Sequence, residues 1–515
     1  MLGRTRSAVR ARLDAAPLPT ELRAFIASLV ARTKLRRAEQ LDIAAELASH
    51  FSEGLAAGKS AETLVASYGD ARQSAHDLRA GAIAKRHPLD RAAGSLFKWS
   101  AIGVAAVIAV YLGSATAIYL REPVVSFDAQ SAWNARLPKP GPEGRALDLY
   151  ISALGDESGR RRGEWLARRL HSIDEAFERL DAAAGTKDPD AERAVRDALA
   201  EARVAIETLR QMPTRPVLGL ALGREALHDD AAVRFFGSDA LSLPSDPGVG
   251  DPAILTLLPQ LGVTREAARL LCFDARLAAR DGRGDDFMMS VEAAIMCGTH
   301  AGEPDVVISE LIGMGIYAAV LETVNVAVER SPATLSDAQL DRLEHVVRGL
   351  RCDLAAGIEG ERIAFRDLIQ RSFSDNGSGD GVLLPRPWGR LLAETANLGS
   401  RPPTASALDF AVGPFAALAF PARREVEASV NRRFDAMVGA LRAETHEAFE
   451  AHRQELAAMQ ADGEGDGEIF SLTALLPDAE SLLAKPQRMR VAVAKTAGAI
   501  SAERARREEV RAAAR

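Results

Sequence analysis

Aromatic residues and cysteines are both scarce in this sequence, and each shortage excludes a class of protein. Aromatics make up 5% of the 515 residues, and the cysteines are Cys272, Cys297 and Cys352. Because three is an odd number and the spacing fits no metal motif, neither a disulfide framework nor a cysteine metal site is expected. We expect buried free thiols, with a bond between Cys272 and Cys297 as the less favoured alternative.

Strand patterns and catalytic motifs are also missing. Alternating runs of Val, Ile, Thr and Tyr are nearly absent, whereas Ala, Leu, Glu and Arg dominate, which favours helices. The sequence contains no G-x-S-x-G elbow and no glycine-rich phosphate loop before a helix. His446, Glu447 and His452 form H-E-x-x-x-x-H, but this spacing turns the imidazoles about 120° apart on a helix, which excludes a zinc-protease site. We therefore predict an all-α protein without a cofactor, and we favour a non-enzyme over an enzyme.

Charge is divided unevenly along the chain. Residues 1–98 carry 16 Lys and Arg against 10 Asp and Glu, a net charge of +6. The remaining residues carry 48 against 61, a net charge of −13. The basic residues are scattered without interleaved aromatics, so no nucleic-acid partner is expected.

A long uncharged run separates the two parts. Trp99–Leu120 contains no charged residue, and a helix of that length covers about 33 Å, close to the hydrocarbon thickness of a bilayer. Lys98 and Arg121 flank the run, and Trp99 and Tyr119 stand where aromatic rings favour the membrane interface. We predict a transmembrane helix over 97–120 with the lipid bilayer as a partner. Its distance from the N-terminus argues against a cleaved signal peptide.

The basic flank before the run predicts a cytoplasmic N-terminus and an extracytoplasmic C-terminal region in an inner membrane. The apolar stretch Val306–Val328 contains Glu310 and Glu322, and Leu408–Pro421 contains Asp409 and Pro414. Both are expected to be buried protein segments instead of further spans.

The first 88 residues predict a small helical bundle. Thr20 and Ser60 are expected to cap helices, and Gly58 to end one that starts at Arg37. The run at 45–79, AELASHFSEGLAAGKSAETLVASYGDARQSAHDLR, contains Glu46, Leu47 and His50, then Gly58-x-Ser60 and Tyr68-Gly69-Asp70. It resembles the permease prefix, or helix-turn-helix-associated α-helical signalling, domain. The resemblance implies a cytoplasmic regulatory domain preceding membrane spans.

The rest of the chain predicts a linker or extended wrap at 121–145, a helical domain at 146–340 and a helical extension at 341–515 that ends in a charged helix. Thr264 is expected to cap a helix of a hairpin, and 421–460 to form one long helix. Residues 250–370, with Gly360-Glu361-Arg362, resemble an uncharacterised group of bacterial membrane-anchored helical proteins for which no activity is known. The expected fold is hairpin-like or solenoid-like.

Candidate sites are few. Segment 212–252 is rich in Pro and Gly, and it either binds a partner or packs over the helices through Phe235 and Phe236. Asp462, Glu464 and Asp466 match the start of a calcium-binding loop, but Thr473 replaces the final Glu, so an acidic linker is favoured. Three further carboxyl groups lie near apolar helix surface and could do acid–base work, although lone Glu residues at a helix edge, paired with Arg, are commoner. They are Glu310, Glu322 and Glu361. His50 with Glu46 and Glu53 is expected to be solvated.

The sequence thus predicts a single-pass membrane protein with a signalling, scaffold or protein-binding role. The alternatives are an extracytoplasmic hydrolase with a site between helices and an accessory subunit of a transporter.

Overall fold

The structure is a computed structural model that describes residues 2–86, 88–182, 188–241, 252–385, 387, 414–415, 417, 420–465 and 479–513. Helices dominate these residues, and the described ranges contain no strand. Two isolated β-bridges join Gly155 to Arg161 and Phe373 to Leu383. The predicted all-α class is confirmed.

The chain divides into two compact units, Met1–Leu112 and Gly113–Arg515. The first unit contains α1 (Leu2–Asp14), α2 (Thr20–Thr33), α3 (Arg37–Ala56), α4 (Ala61–Ser67), α5 (Ala71–Ala84) and most of α6 (Pro88–Tyr119). Leu22, Ile26, Leu29 and Phe51 are fully buried between α2 and α3. Leu22, Ile26 and Leu29 are spaced three to four residues apart along α2. This spacing gives α2 one apolar face, which the other helices cover.

Three residues were predicted to start or end these helices, and the structure confirms two of those predictions. The Ser60 hydroxyl accepts a hydrogen bond from the Thr63 backbone N–H at 3.2 Å, so its predicted cap is confirmed. Gly58 follows the end of α3 with a positive φ of 82°, as expected. The cap predicted at Thr20 is wrong, because α2 begins at Thr20 itself, after Pro19, and no side chain caps it.

In the second unit, one group of helices precedes residues 242–251 in the chain and a second group follows them. The first group comprises α7 (Ala129–Asn134), α8 (Leu147–Leu154), α9 (Gly163–Ala182), α10 (Pro189–Glu201), α11 (Arg203–Leu209), α12 (Asp230–Phe236) and α13 (Ser238–Leu241). The second comprises α14 (Gln260–Arg280), α15 (Gly284–Gly302), α16 (Val307–Arg330), α17 (Asp337–Arg348), α18 (Leu354–Ser372), α19 (Arg423–Arg442), α20 (His446–Gly465) and α21 (Ala479–Ala513).

Helices α14, α15 and α16 pack against one another and carry the largest hydrophobic core. Helix α16 also contacts α18 and α21, so residues after 340 pack back onto the preceding helices. A second core lies mainly between α18 and α19, where the Phe365 and Phe434 rings meet edge to face at 5.4 Å.

Two boundary predictions are corrected. Thr264 does not cap a helix, because α14 begins at Gln260 and buries Thr264 within it, where its hydroxyl donates to the Leu261 carbonyl. The single helix expected over 421–460 is broken at 443–445 into α19 and α20. There the Thr445 hydroxyl accepts a hydrogen bond from Ala448 N–H, which starts a new helix.

Segment 121–145 follows the wrap alternative of its prediction. The Gln370 side chain accepts hydrogen bonds from the backbone N–H groups of Ser126 and Phe127 and donates one to the Phe127 carbonyl. The Trp133 indole is buried and donates to the Gly360 carbonyl at 2.9 Å. These contacts tie the segment to α18.

Candidate functional site

Two of the helices in the described ranges are long and apolar enough to cross a membrane. In Trp99–Tyr119 the mean hydropathy is 2.1 and 6% of the apolar window is buried. In Val307–Arg330 the mean hydropathy is 1.7 and 56% of the window is buried. The two helices therefore differ in what covers their apolar side chains.

The exposed apolar side chains of the first helix lie on every side of it. The largest are Trp99, Ile102, Val104, Val107, Ile108, Val110 and Leu112, each about half exposed or more. A helix in water normally keeps a polar stripe, and this one has none. Of the residues predicted at the interfaces, Trp99 is 70% exposed, Tyr119 is half-buried and Arg121 is exposed. The Lys98 side chain lies outside the described residues.

A group of carboxyl side chains gathers around the turn between α15 and α16. The turn contains Glu303 and Asp305, and Asp305 adopts a positive φ of 50°, which is unusual for a residue other than glycine. The Glu310 side chain lies against the backbone positions of Gly302 and Gly357. Glu361, on α18, accepts a hydrogen bond from the Val307 N–H at 3.2 Å.

The structure thus brings together two of the three carboxyl groups singled out in the sequence. Glu310 and Glu361 both lie at the start of α16, one on that helix and one facing it from α18. Glu322, three turns further along α16, is exposed. Glu303 and Asp305 join the group although no sequence motif marks them, because the turn brings them there.

Burial changes the acidity of the group. Burial raises the pKa of Glu303 to about 7, against the opposing hydrogen bonds from the Leu218 and Gly219 N–H groups. It raises the pKa of Glu310 to about 7 as well, and the nearby carboxylates of Asp305 and Asp353 add to that effect. Burial also raises the pKa of Glu361. At neutral pH Glu303 and Glu310 therefore hold protons for part of the time.

An arginine also contacts this group. Arg136 donates to the Asp305 carboxylate and to the Ala356 carbonyl, both at 3.2 Å. The pKa of Asp305 is nevertheless raised, because burial outweighs the charge of Arg136. Backbone N–H groups donate to the carboxyl groups of Glu303 and Glu361. The alternative of pairing with Arg at a helix edge therefore does not describe Glu361.

A polar chain crosses the core beside this turn. The Tyr150 hydroxyl lies 3.1 Å from His300 Nδ1, and His300 Nε2 lies 2.9 Å from the Arg215 carbonyl oxygen. Burial lowers the pKa of His300 to about 4, so the ring is neutral, and it donates from Nε2 and accepts at Nδ1. Cys297 lies beside Tyr150, and burial raises the pKa of the Cys297 thiol to about 12. All three side chains are fully buried, which fits a structural role.

An ion-pair network occupies the contact between α11 and the α14–α15 hairpin. The Arg210 guanidinium donates to Asp274 at 2.6 Å, to Asp286 at 2.8 Å and to the Ser290 hydroxyl at 2.9 Å. Arg210 and Asp274 side chains are 7% and 3% exposed. Sequence reasoning missed this network because the partners of Arg210 lie 64 to 80 residues from it in the chain.

The remaining sequence candidates are separate from the carboxyl group. Segment 212–241 forms short helical turns, with Phe235 buried and its ring 4.9 Å from that of Phe236. Asp229 caps α12 and pairs with Arg145, while His228 is exposed. This is the packing alternative for that part of the segment; residues 242–251 lie outside the description.

The candidate metal ligands and the three cysteines can also be located in the structure. Across the described part of the chain, no group of three or more His, Cys, Asp or Glu side chains is placed to hold a metal ion. His50 is exposed and contacts the Tyr68 ring edge to face. Cys272, Cys297 and Cys352 are free thiols, and the alternative disulfide is absent. For the calcium candidate, α20 includes Asp462 and Glu464 in its backbone, while Asp466 and Thr473 lie outside the described residues.

The chain matches no protein-family model, no characterised protein and no solved structure.

Proposed function

We propose that this chain is a single-pass membrane-anchored helical protein, with Trp99–Tyr119 as the membrane span and a signalling or scaffold role carried out through protein binding. The observation that carries the anchor is the exposure of apolar side chains all round that helix. About 25 cal/mol is gained for each Å² of such surface removed from water, so a bilayer stabilises this helix strongly.

Helix α16 is proposed to be a core helix of the second unit. It buries Val320, Leu321 and Val324 against α14 and α15. Its neighbours therefore supply the apolar surroundings that a bilayer would otherwise supply. The border between the compact units falls inside α6, between Leu112 and Gly113, which agrees with one anchor joining two folded parts.

The proposed orientation has residues 1–88 in the cytoplasm of a bacterium and the second unit outside the inner membrane. The charge difference across the span and the resemblance of residues 45–79 to the permease prefix domain support it. A helical regulatory domain joined to a separate helical unit by one anchor fits a protein that transmits or scaffolds binding events.

Charged substitutions in the two helices test the anchor. V104R/V107R should move the protein from the alkali-resistant membrane fraction to the soluble or aggregated fraction, because each Arg costs about 3 kcal/mol near the centre of a span. Ala318→Arg is the matched control on α16, where residue 318 is exposed. It should leave the membrane fraction and the thermal transition unchanged. Loss of membrane insertion in A318R alone would contradict the assignment.

Reporter fusions at both ends test orientation. A phosphatase that is active only outside the cytoplasm should work at the C-terminus, and a fluorescent protein that folds in the cytoplasm should work at the N-terminus. The reverse pattern would overturn the orientation while leaving the anchor itself intact.

A further inference from the structure

A cavity of about 380 Å³ lies within the second unit, between the start of α18, the end of α19 and the first half of α21. It lies where the two large hydrophobic cores meet. Leu350, Met489 and Val493 pack against the α14–α16 core, while Leu354 and Leu441 belong to the α18–α19 core. Small-molecule sites in proteins have this size and favour such junctions.

The wall and the rim of the cavity differ in polarity. Most of the wall side chains are aliphatic or thioether groups, and Leu354 among them is buried. The rim carries the guanidinium groups of Arg348, Arg442 and Arg490, and all three residues are exposed. A ligand with an apolar body and an anionic head would match both surfaces.

The rim arginines are not equally occupied. Arg348 binds Glu344 through two hydrogen bonds of 3.0 and 2.8 Å. Arg442 and Arg490 have no ion-pair or hydrogen-bond partner in the parts of the chain that the structure describes. The rim also includes Asp353, whose carboxylate is engaged in capping α18 by accepting from Ala356 N–H at 3.1 Å. Two guanidinium groups are thus available to an anion.

Cys352 also lines the cavity but does not make it a covalent site. Burial and the charge of Glu310 raise the pKa of the Cys352 thiol to about 12, so at neutral pH it stays a weakly reactive thiol. The cavity offers shape, apolar surface and positive charge, which are the elements of reversible binding.

We propose that this cavity binds an amphipathic anion, with an acyl body against Leu350, Met489 and Val493 and a carboxylate or phosphate head between Arg442 and Arg490. Guanidinium groups pair with both head groups through charge-assisted hydrogen bonds. The site is independent of the protein-binding role proposed above, and it would make the second unit a receptor for a small lipid-like molecule.

Photocrosslinking of the full-length chain in amphipol tests the proposal. Octanoate with a diazirine in its acyl chain should label peptides that contain residues 350–355 and 486–494. An excess of octanoate or octyl phosphate should remove the label, whereas octanol, which lacks the charge, and inorganic phosphate, which lacks the tail, should not. Labelling elsewhere only, or equal competition by octanol, would overturn the proposal.

Two variants and one control separate the charge from the cavity. R442Q/R490Q should reduce labelling at subsaturating probe by at least about tenfold, since it removes the charge-assisted hydrogen bonds to the anionic head. Ala494→Trp should block the cavity without removing a charge. Arg488→Gln, an exposed neighbour on α21 outside the cavity lining, should keep full labelling. Unchanged labelling in both test variants would refute the site.

Reconstitution distinguishes a free molecule from a bilayer lipid. In nanodiscs of phosphatidylcholine the probe should label the cavity. If added phosphatidylglycerol suppresses that label, the anion is a lipid head group; if it does not, the ligand is a free amphiphile. Absence of cavity labelling in nanodiscs and in amphipol alike would exclude both sources.

Discussion

The carboxylate of Glu361 on α18 accepts the backbone N–H of Val307, the first residue of α16, at 3.2 Å. A side chain of one helix therefore satisfies an unpaired donor at the start of another, 54 residues away. This contact fixes α16 against α18, and it places Glu361 beside the buried turn that carries Glu303 and Asp305.

Replacing Glu361 tests that contact. Glu361→Ala should lower the free energy of unfolding by about 1–2 kcal/mol, because it leaves the Val307 N–H without its acceptor in a buried place. Glu361→Gln should lower the free energy of unfolding by less, since an amide oxygen can still accept the hydrogen bond. Burial also raises the pKa of Glu361, which favours its neutral form, and an amide resembles that form. Denaturant titration of the full-length chain measures both. Equal losses would show that the charge, and not the acceptor, matters.

The pH dependence of stability should reveal Glu303. Its pKa is 4.5 when unfolded and about 7 when folded, so between these values the folded chain binds a proton that the unfolded chain has released. Its contribution is therefore full below pH 4.5, falls as pH rises to about 7 and is lost above. The free energy of unfolding should fall between pH 5 and pH 7.5, and Glu303→Gln should reduce that fall by about 1–2 kcal/mol relative to the unmodified chain. Parallel pH curves for both proteins would contradict this.

Removing Arg210 should be far costlier than removing a neighbouring arginine. Arg210→Met leaves the buried Asp274 carboxylate without its counter-ion and should destabilise the chain by about 3–5 kcal/mol. Arg203→Met, on the exposed side of α11 and paired with Glu207, should cost less than about 1 kcal/mol. Thermal unfolding of the two variants makes the comparison. Similar losses would show that the network contributes no more than a surface pair.

Two glycines in packed helices should respond in opposite directions to alanine. A Cβ at Gly360 would come 1.7 Å from the Asp305 carbonyl oxygen, so Gly360→Ala must displace backbone and should destabilise strongly, by about 3 kcal/mol or more. At Gly315, on α16, the described residues place no atom within 4 Å of the added Cβ, apart from the local backbone of α16 itself. Gly315→Ala should therefore stabilise by up to about 1 kcal/mol, the difference in helix propensity. Circular dichroism melting curves of both variants are the measurement, and stabilisation by Gly360→Ala would show that the close approach is wrong.

Part of the fold could be predicted because its causes are local. Ser60 caps α4 and Gly58 follows the end of α3, as predicted, since capping groups and glycine turns act within a few residues. Local signals misled where packing overrode them. Thr264 has the hydroxyl of a cap, yet the apolar residues before it extend α14 by a further turn.

The candidate site could be predicted only in part. Glu310 and Glu361 stood out because each is an acid on apolar helix surface, but nothing local distinguished them from Glu322. The distinction came from α18, whose Gly357 and Gly360 allow its backbone to approach the turn before α16. Glu303 and Asp305 entered the group through that approach.

The sequence by itself determined the helical class, the apolar helix at Trp99–Tyr119 and the opposite net charges on its two sides, because composition and periodicity are properties of the chain alone. Only the tertiary structure decided that α16, nearly as apolar, is covered by other helices. It also decided that Arg210 meets Asp274, and that Arg442 and Arg490 share the rim of one cavity. These pairings join residues from 48 to 64 positions apart, and such contacts depend on how helices pack, which no short pattern in the sequence records.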